Sequence, residues 1–366
     1  MKFLRHFRID LVVLVVALVI ATLYGGTTAL SLAAILVVVE VVFSFDNATV
    51  NAKILERMNP FWRKIFLTFG VLIAVVGMRL LFPLIIVSLT AKISPWHAVD
   101  LAFQKGNLHH PGTYGYLLNA AHPSIAAFGG MFLMILALDF LLDDGREVTW
   151  LTFIERPLMR IGKLDQLSVV IAGIVLAVIS SAITSGPETR KVLFAGLLGI
   201  VSYVLVNGLG ELVGPPEDDG DGEAPGPSGA SSVLVVTGKA ALGLFLYLEV
   251  IDASFSFDGV IGAFAITPDP IIIVLGLGVG ALFVRSLTVY LVEEGTLSTY
   301  EYLEHGAHWA ILTLSVILLI SVRYTIPDVA TGLIGVVLIA AAFATSVVRN
   351  RKDGDRADRA PVLTEP

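Results

Sequence analysis

Two apolar stretches of the chain carry the groups that can do chemistry. In the first, Glu40 is followed six positions later by Asp46 and then Asn47; in the second, Asp252 is followed at the same spacing by Asp258 and then Gly259. Phe-Ser-Phe precedes the later acid in both, and Glu249 lies about one turn before Asp252. The apolar stretch after each motif repeats a further feature: Gly70 lies nine residues before Arg79, and Gly276 nine before Arg285. Carboxylates, the Asn47 amide, the Ser44 and Ser256 hydroxyls and local carbonyls are hard oxygen donors, suited to Mg, Ca or Mn rather than Cu(I) or Zn. The chain has no cysteine, so thiolate sites and disulfides are excluded. Five acids against two arginines leave an excess of three negative charges if all are ionised, and protons or a bound cation must offset it. The other reading of the same residues is structural, with Arg79 and Arg285 as counter-charges that lock helices together.

The elements that position these residues are membrane helices. The chain is 56% hydrophobic and only 15% charged, with a mean hydropathy of +0.84. Soluble domains are about 45–50% apolar and about 25% charged. Ten apolar runs reach or approach the length needed to cross a hydrocarbon core of roughly 30 Å: 9–24, 29–52, 65–91, 122–142, 167–183, 192–213, 240–266, 271–292, 309–322 and 329–348. The first follows Lys2, Arg5 and Arg8 like the start of a signal peptide, but no small-x-small cleavage site follows, and it is read as a helix. The two acidic motifs lie five spans apart. An odd number reverses direction, so the expected fold is all-α and polytopic, two inverted five-helix repeats of the kind secondary transporters use around a midplane site.

An ionisable group at the centre of a span costs about 2.5–3.5 kcal/mol even on lenient insertion scales, so such groups face a cavity or one another. On an ideal helix Glu40, Ser44, Asn47 and Asn51 share one stripe, and Asp252, Ser256 and Gly259 share the matching one, while Asp46 and Asp258 point about 120° away. Asp-Asn and Asp-Gly favour turns. The expectation is that both helices unwind or bend at these pairs and free carbonyls for an ion.

Residues 1–213 hold the first repeat and span six, 214–232 form an acidic Pro/Gly linker expected to be disordered, 233–348 complete the second repeat, and 349–366 are a charged tail. Lys and Arg cluster at the N-terminus, in the loops holding 53–64 and 146–163, and in the tail. By the positive-inside rule both termini are expected on the cytoplasmic side of the plasma membrane. The loop 293–308 stands out there as acidic, without Lys or Arg. His305 and His308 are expected on a solvated helix face beside Glu301 and Glu304, and His97, His109 and His110 in an ordinary exposed outer loop. Asp139 ranks as a lesser candidate that lines an exit or sits at the interface, and Asn207 and Glu211 as residues that support the site or snorkel at the interface. The net charge of −7, with no basic face, argues against nucleic acid.

Residues 40–51, 70–79 and 252–258 resemble the TerC-like integral membrane proteins of the lysine-exporter-type superfamily. Gly129-Gly130-Met131-Phe132 and Tyr302-Leu303-Glu304-His305-Gly306-Ala307-His308 resemble a branch described only as a domain of unknown function. The resemblance implies tellurite-resistance roles and, in some members, manganese efflux. By position it makes Glu40, Asp46, Asn47, Asp252 and Asp258 the metal-site residues, supported by Ser44, Asn51, Glu249 and Ser256, with Arg79 and Arg285 as counter-charges. The second motif departs in having Asp252 for the first acid and Gly259 at the Asn47 position, so it is poorer in side-chain ligands. The leading expectation is a non-enzymatic exporter of Mn or a similar hard divalent cation. It needs no resident cofactor, its partners are the lipid bilayer and the ion, and homo-oligomers or membrane partners are left open. The other readings are a transporter of a non-metal substrate, a membrane scaffold for stress-response partners, and an intramembrane aspartyl hydrolase.

Overall fold

In the computed structural model, residues 6–70, 72–104, 110–164, 166–182, 186–212, 238–267, 269–295, 299–324, 326 and 328–357 are described, with some helical side chains, including those of Asp46, Ser256 and Asp258, excepted. The linker 214–232 and the end of the tail lie outside the described residues. Within them the chain is helical, without strands. The helices are α1 (Arg8–Phe43), α2 (Phe45–Glu56), α3 (Pro60–Ile65), α4 (Phe82–Ala91), α5 (Pro95–Phe103), α6 (Tyr114–Leu142), α7 (Thr152–Ile161), α8 (Leu167–Ala182), α9 (Pro187–Leu212), α10 (Gly238–Ile266), α11 (Pro270–Glu293), α12 (Tyr302–Ser321) and α13 (Asp328–Ala357). Two π-helical stretches, Phe66–Gly70 and Ile73–Leu81, run between α3 and α4.

Six helical runs among the described residues are long and apolar enough to cross a membrane: Arg8–Val41, Pro60–Leu89, Tyr114–Leu142, Pro270–Glu293, Tyr302–Ser321 and Leu333–Lys352. The apolar run in α8 is shorter, Leu167–Ser181. The expected spans 192–213 and 240–266 fall largely on α9 and α10, which adjoin or contain residues outside those described. Ile9, Val12 and Leu23 turn 75%, 64% and 83% of their surface outward, which suits lipid and not water. The architecture is consistent with a helical membrane protein.

The run Arg8–Val41 is not one rod. At Gly25 (φ −145°, ψ 22°) and Gly26 (φ 67°, ψ −156°) the backbone leaves helical geometry, Gly26 entering a region that a side chain would make costly. Contacts with α11 show the chain reversing there. Tyr24 hydrogen-bonds Asp269, the N-cap of α11, while Phe7 stacks on Phe283 and His6 meets Glu293 at the far end, so 8–24 runs antiparallel to α11. Ala33 and Leu36 then pack on Gly276, and Val37 and Glu40 on Gly280, so 27–43 runs parallel to it. The separate spans 9–24 and 29–52 read from sequence correspond to these two limbs.

The most buried helix is α6, whose Ala126–Leu142 half packs into one apolar core with residues of α8, α9, α10 and α12. A second core gathers α1, α4, α5 and α11.

One end of the bundle explains the acidic character of 293–308. Glu293 meets His6, Glu304 meets Lys53 at 3.1 Å, and Glu301 meets Arg349. The acidic segment thus collects the N-terminus, the 53–64 loop and the C-terminal helix. Exposed pairs of this kind contribute at most about 1 kcal/mol each, so they report which loops share an end more than what holds the fold. Helix α13 continues through Ala357, so the charged tail begins as a helix and not as free chain.

At the same end, His305 and His308 are buried, 4% and 8% exposed, which corrects the solvated face expected for them. Their partners come from far along the chain. Fully buried Glu155, in the first turn of α7, accepts from the backbone N–H groups of Trp150 and Leu151 and from Trp309 Nε1 at 3.0 Å, and lies 2.9 Å from His305 Nδ1 and 3.6 Å from Arg146. His308 stacks on Phe140 at 3.8 Å. Burial raises the Glu155 pKa, but hydrogen bonds from His305 and Trp309 outweigh it and hold the carboxyl at about 2, below its ordinary 4.5. A depressed carboxylate pKa stabilises the fold above the ordinary value and loses that contribution as pH falls toward the folded one. The midpoint of thermal unfolding in detergent should therefore drop between pH 5 and pH 2.5 more steeply for the wild type than for Glu155→Gln. Parallel profiles for the two proteins would remove Glu155 as the cause.

Candidate functional site

Four elements bring the chemically capable residues together: the 27–43 limb of α1 with α2, the Ile73–Leu81 stretch, α10 and α11. The helical ladder bends at Ser44 (φ −101°, ψ 17°) without losing its bonds, since Ser44 N–H donates to Glu40 O and Ala48 N–H to Ser44 O. Helix α2 then runs unbroken through Asp46 and Asn47, and α10 is one helix through Asp258 and Gly259. This corrects the expected unwinding at those pairs, and of the expected bends only the first has a counterpart, at Ser44 two residues before Asp46. Turn propensity there is overridden because each pair sits inside a packed span, where a free backbone group has no water to bind. The irregular backbone lies instead at 66–70 and 73–81, as π-helix, a geometry that is rare and concentrates at functional sites.

Arg79 closes the first half of the site. Its Nη2 donates to Glu40 Oε1 and its Nη1 to the carbonyl of Ala74, five residues back in the π stretch, at 2.6 Å. Ser44 Oγ donates to the same Glu40 oxygen at 3.3 Å. Arg285 closes the second half. Its Nη2 lies 3.3 Å from both oxygens of Glu249 and from Asp252 Oδ2, its Nη1 donates to Phe66 O at 3.2 Å, and its guanidinium lies over the Phe66 ring at 4.1 Å. Each arginine thus meets an acid carried by the preceding apolar stretch of its own half. All five charged groups are at most 5% exposed.

The halves also touch each other in matching places. Asn47 Nδ2 donates to Asp252 Oδ1 at 2.7 Å. At the equivalent position of the second motif, a methyl group on Gly259 would lie 3.4 Å from Glu40 Oε2. Close approach is built in: a methyl group at Gly70 would fall 2.4 Å from Arg285 Nη1 and 2.7 Å from Glu249 Oε1, and one at Gly280 would fall 2.4 Å from Glu40 Cβ.

Of the expected site residues, Glu40, Ser44, Asn47, Glu249, Asp252, Arg79 and Arg285 are brought together. The side chains of Asp46, Ser256 and Asp258 lie outside the described residues. Asn51, 1% exposed, carries an Oδ1 without a hydrogen-bond partner among the described residues, as do the Nε atoms of Arg79 and Arg285. Among the described residues no three His, Asp or Glu side chains converge in a metal-holding group. What the arrangement holds is three carboxylates against two guanidiniums. Sequence reasoning did not single out Phe66 or Gly280; the four-residue spacing of Gly276 and Gly280 on α11 was the available signal.

Residues 45–353 match a family described as "Protein of unknown function (DUF475)". The chain belongs to this family. The match spans both arginine–carboxylate pairs apart from Glu40, which lies just ahead of it, and takes in the Gly-Gly-Met-Phe and Tyr-Leu-Glu-His segments. No curated protein and no solved structure matches the chain.

Proposed function

We propose that this DUF475 protein is a multi-pass transporter of the plasma membrane, with both termini cytoplasmic, that exports a hard divalent cation, Mn foremost, through the buried carboxylates at the seam of two inverted five-helix repeats. The observation that carries the reading is the reciprocal seam: Glu40 pairs with Arg79 and Asp252 with Arg285, while the two halves cross at Asn47–Asp252 and Gly259–Glu40. Placing three acids against two arginines inside apolar spans is expensive, and the chain does it with oxygen donors of the type that bind Mg, Ca or Mn. Asp46 and Asp258 add two further acids to the same motifs. The manganese preference comes from the TerC resemblance alone, and sites, not folds, decide substrates.

Export predicts that a manganese-sensitive host expressing the wild type accumulates less Mn, whereas Glu40→Gln, Asp46→Asn and Asp252→Asn accumulate as much as cells without the protein, at matched membrane expression. Elemental analysis across Mn, Mg, Ca, Zn and Fe reads the ion. Unchanged metal content in every strain would remove the metal reading.

One observation favours a second reading. Glu40, Glu249 and Asp252 each already have an arginine partner, as in a structural lock inside a non-transporting membrane scaffold. In that case Glu40→Gln and Asp252→Asn lower thermal stability without changing any metal content.

A further inference from the structure

A second acidic site lies apart from the arginine–carboxylate seam and shares no residue with it. Two adjoining cavities of about 210 and 320 Å³ open where the end of α6 meets the starts of α8 and the middle of α9, and both are lined by Asp139, Gln166 and Ser168. Tyr203 and Asn207 complete the first, and Asp143 and Asp144 the second. Tyr203 OH donates to Asp139 Oδ2 at 2.5 Å, which fixes the carboxylate; its Oδ1 makes no hydrogen bond among the described residues. Ser168 is only 6% exposed, lines both cavities, and its hydroxyl has no hydrogen-bond partner among the described residues. Asp143 Oδ1 accepts from the N–H of Gly145 at 2.9 Å, and Asp139 is the carboxylate that lines both cavities. Close backbone approach builds the wall: a methyl group at Gly162 would fall 1.7 Å from Leu142 O.

We propose that this vestibule binds a hydrated divalent cation of the hard class. Three aspartates line the cavities, with no Lys, Arg or His among the lining residues. They stand at the C-terminal end of α6, where Arg146 caps the Leu141 carbonyl from outside the cavity lining, so the negative potential of the cavities comes from the carboxylates themselves. One or two carboxylates with hydroxyl and amide oxygens, the remaining positions held by water, is how Mg and similar ions are bound at sites that do not dehydrate them. At about 30 Å³ per water, either cavity holds an ion with several of its waters. An inorganic anion is repelled by the same groups. The assignment does not depend on transport through the seam.

The test is manganese binding to the purified full-length protein in nanodiscs, read as loss of the free Mn²⁺ electron paramagnetic resonance signal, with Mg²⁺ and tetramethylammonium as competitors. Asp139→Asn should weaken one class of sites on the order of tenfold or more, as loss of a ligand does, and Glu40→Gln should leave that class unchanged. Gln166→Ala with Ser168→Ala, which removes two lining oxygens, should weaken it in the same direction, and carries the test if Asp139→Asn fails to fold. Mg²⁺ should displace the bound Mn²⁺. Isotherms that superimpose on the wild type for both the aspartate and the double variant would overturn the site. So would displacement by tetramethylammonium but not by Mg²⁺, which marks an organic-cation pocket. A seam that fails in cells while this site binds leaves the proposal standing, so the two readings fail separately.

Discussion

Arg285→Leu is expected to destabilise the protein by about 3–5 kcal/mol, the cost of leaving buried charge without its partner. Arg285 sits between Glu249 and Asp252 at 3.3 Å from each, against the Phe66 ring and carbonyl. Removing it strands two carboxylates that have little access to water. The triple change Arg285→Leu, Glu249→Gln, Asp252→Asn should recover most of the loss, because replacing a whole buried ion cluster with neutral groups is often close to neutral in stability. Thermal unfolding in detergent, followed by tryptophan fluorescence, reads both. If the single and triple variants melted together, the cluster would hold no stability worth naming and the charges would exist for another purpose. Transport separates the roles: the stable triple variant should still fail to lower cellular Mn, having lost two of the seam's carboxylates.

The second large effect concerns Gly280. A methyl group there would sit 2.4 Å from Glu40 Cβ and 3.3 Å from Val37 O. The near atom is at the root of the Glu40 side chain, so a rotamer change cannot clear it; α1 and α11 must separate. Overpacking of this kind costs about 1–3 kcal/mol, and here the displaced residue is the acid that holds Arg79. Gly280→Ala is expected to lower the melting midpoint and abolish metal export. Gly173→Ala is the matched control: it is also a helical glycine, but a methyl group there meets nothing within 4 Å. It should leave stability unchanged or raise it by about 0.4–1 kcal/mol through reduced freedom of the unfolded chain. Equal melting points for the two variants would show that the contact at Gly280 is slack.

Local pattern carried the parts of this molecule that depend on local pattern. Hydropathy and length were enough for the helical membrane class, and the limbs at 9–24 and 29–52 correspond to two helices because Tyr24-Gly25-Gly26 interrupts an apolar run where no loop is needed. The repeated acid-x5-Asp and Gly-x8-Arg motifs pointed to Glu40, Asp252, Arg79 and Arg285, since a charge inside a span needs a reason. Which acid meets which arginine was not legible, because pairing is decided by helix register across the seam. Propensity misled at Asp46-Asn47 and Asp258-Gly259: turn-favouring residues inside a span keep their helix when unwinding would strand backbone polar groups. The π geometry around Arg79 leaves no sequence mark in a run of Val, Leu, Ile and Gly. His305 looked solvated for the same kind of reason. Its partner Glu155 is 150 residues away, and nothing near either residue announces the other.

The order of the pairings bears on how the protein is made. Glu40 meets its arginine 39 residues later and Asp252 meets its own 33 later, each in the next apolar stretch to leave the ribosome. Neither acid waits for the other half. Within each half one arginine thus follows its first acid closely, while Asp46 and Asp258 leave negative charge for protons or a cation to offset. The contacts between the halves, Asn47–Asp252, 205 residues apart, and Arg285–Phe66, 219 apart, can form only after both have entered. Assembly of the seam is thereby left as a late event in biogenesis, a docking of two parts that each already carry an arginine–carboxylate pair.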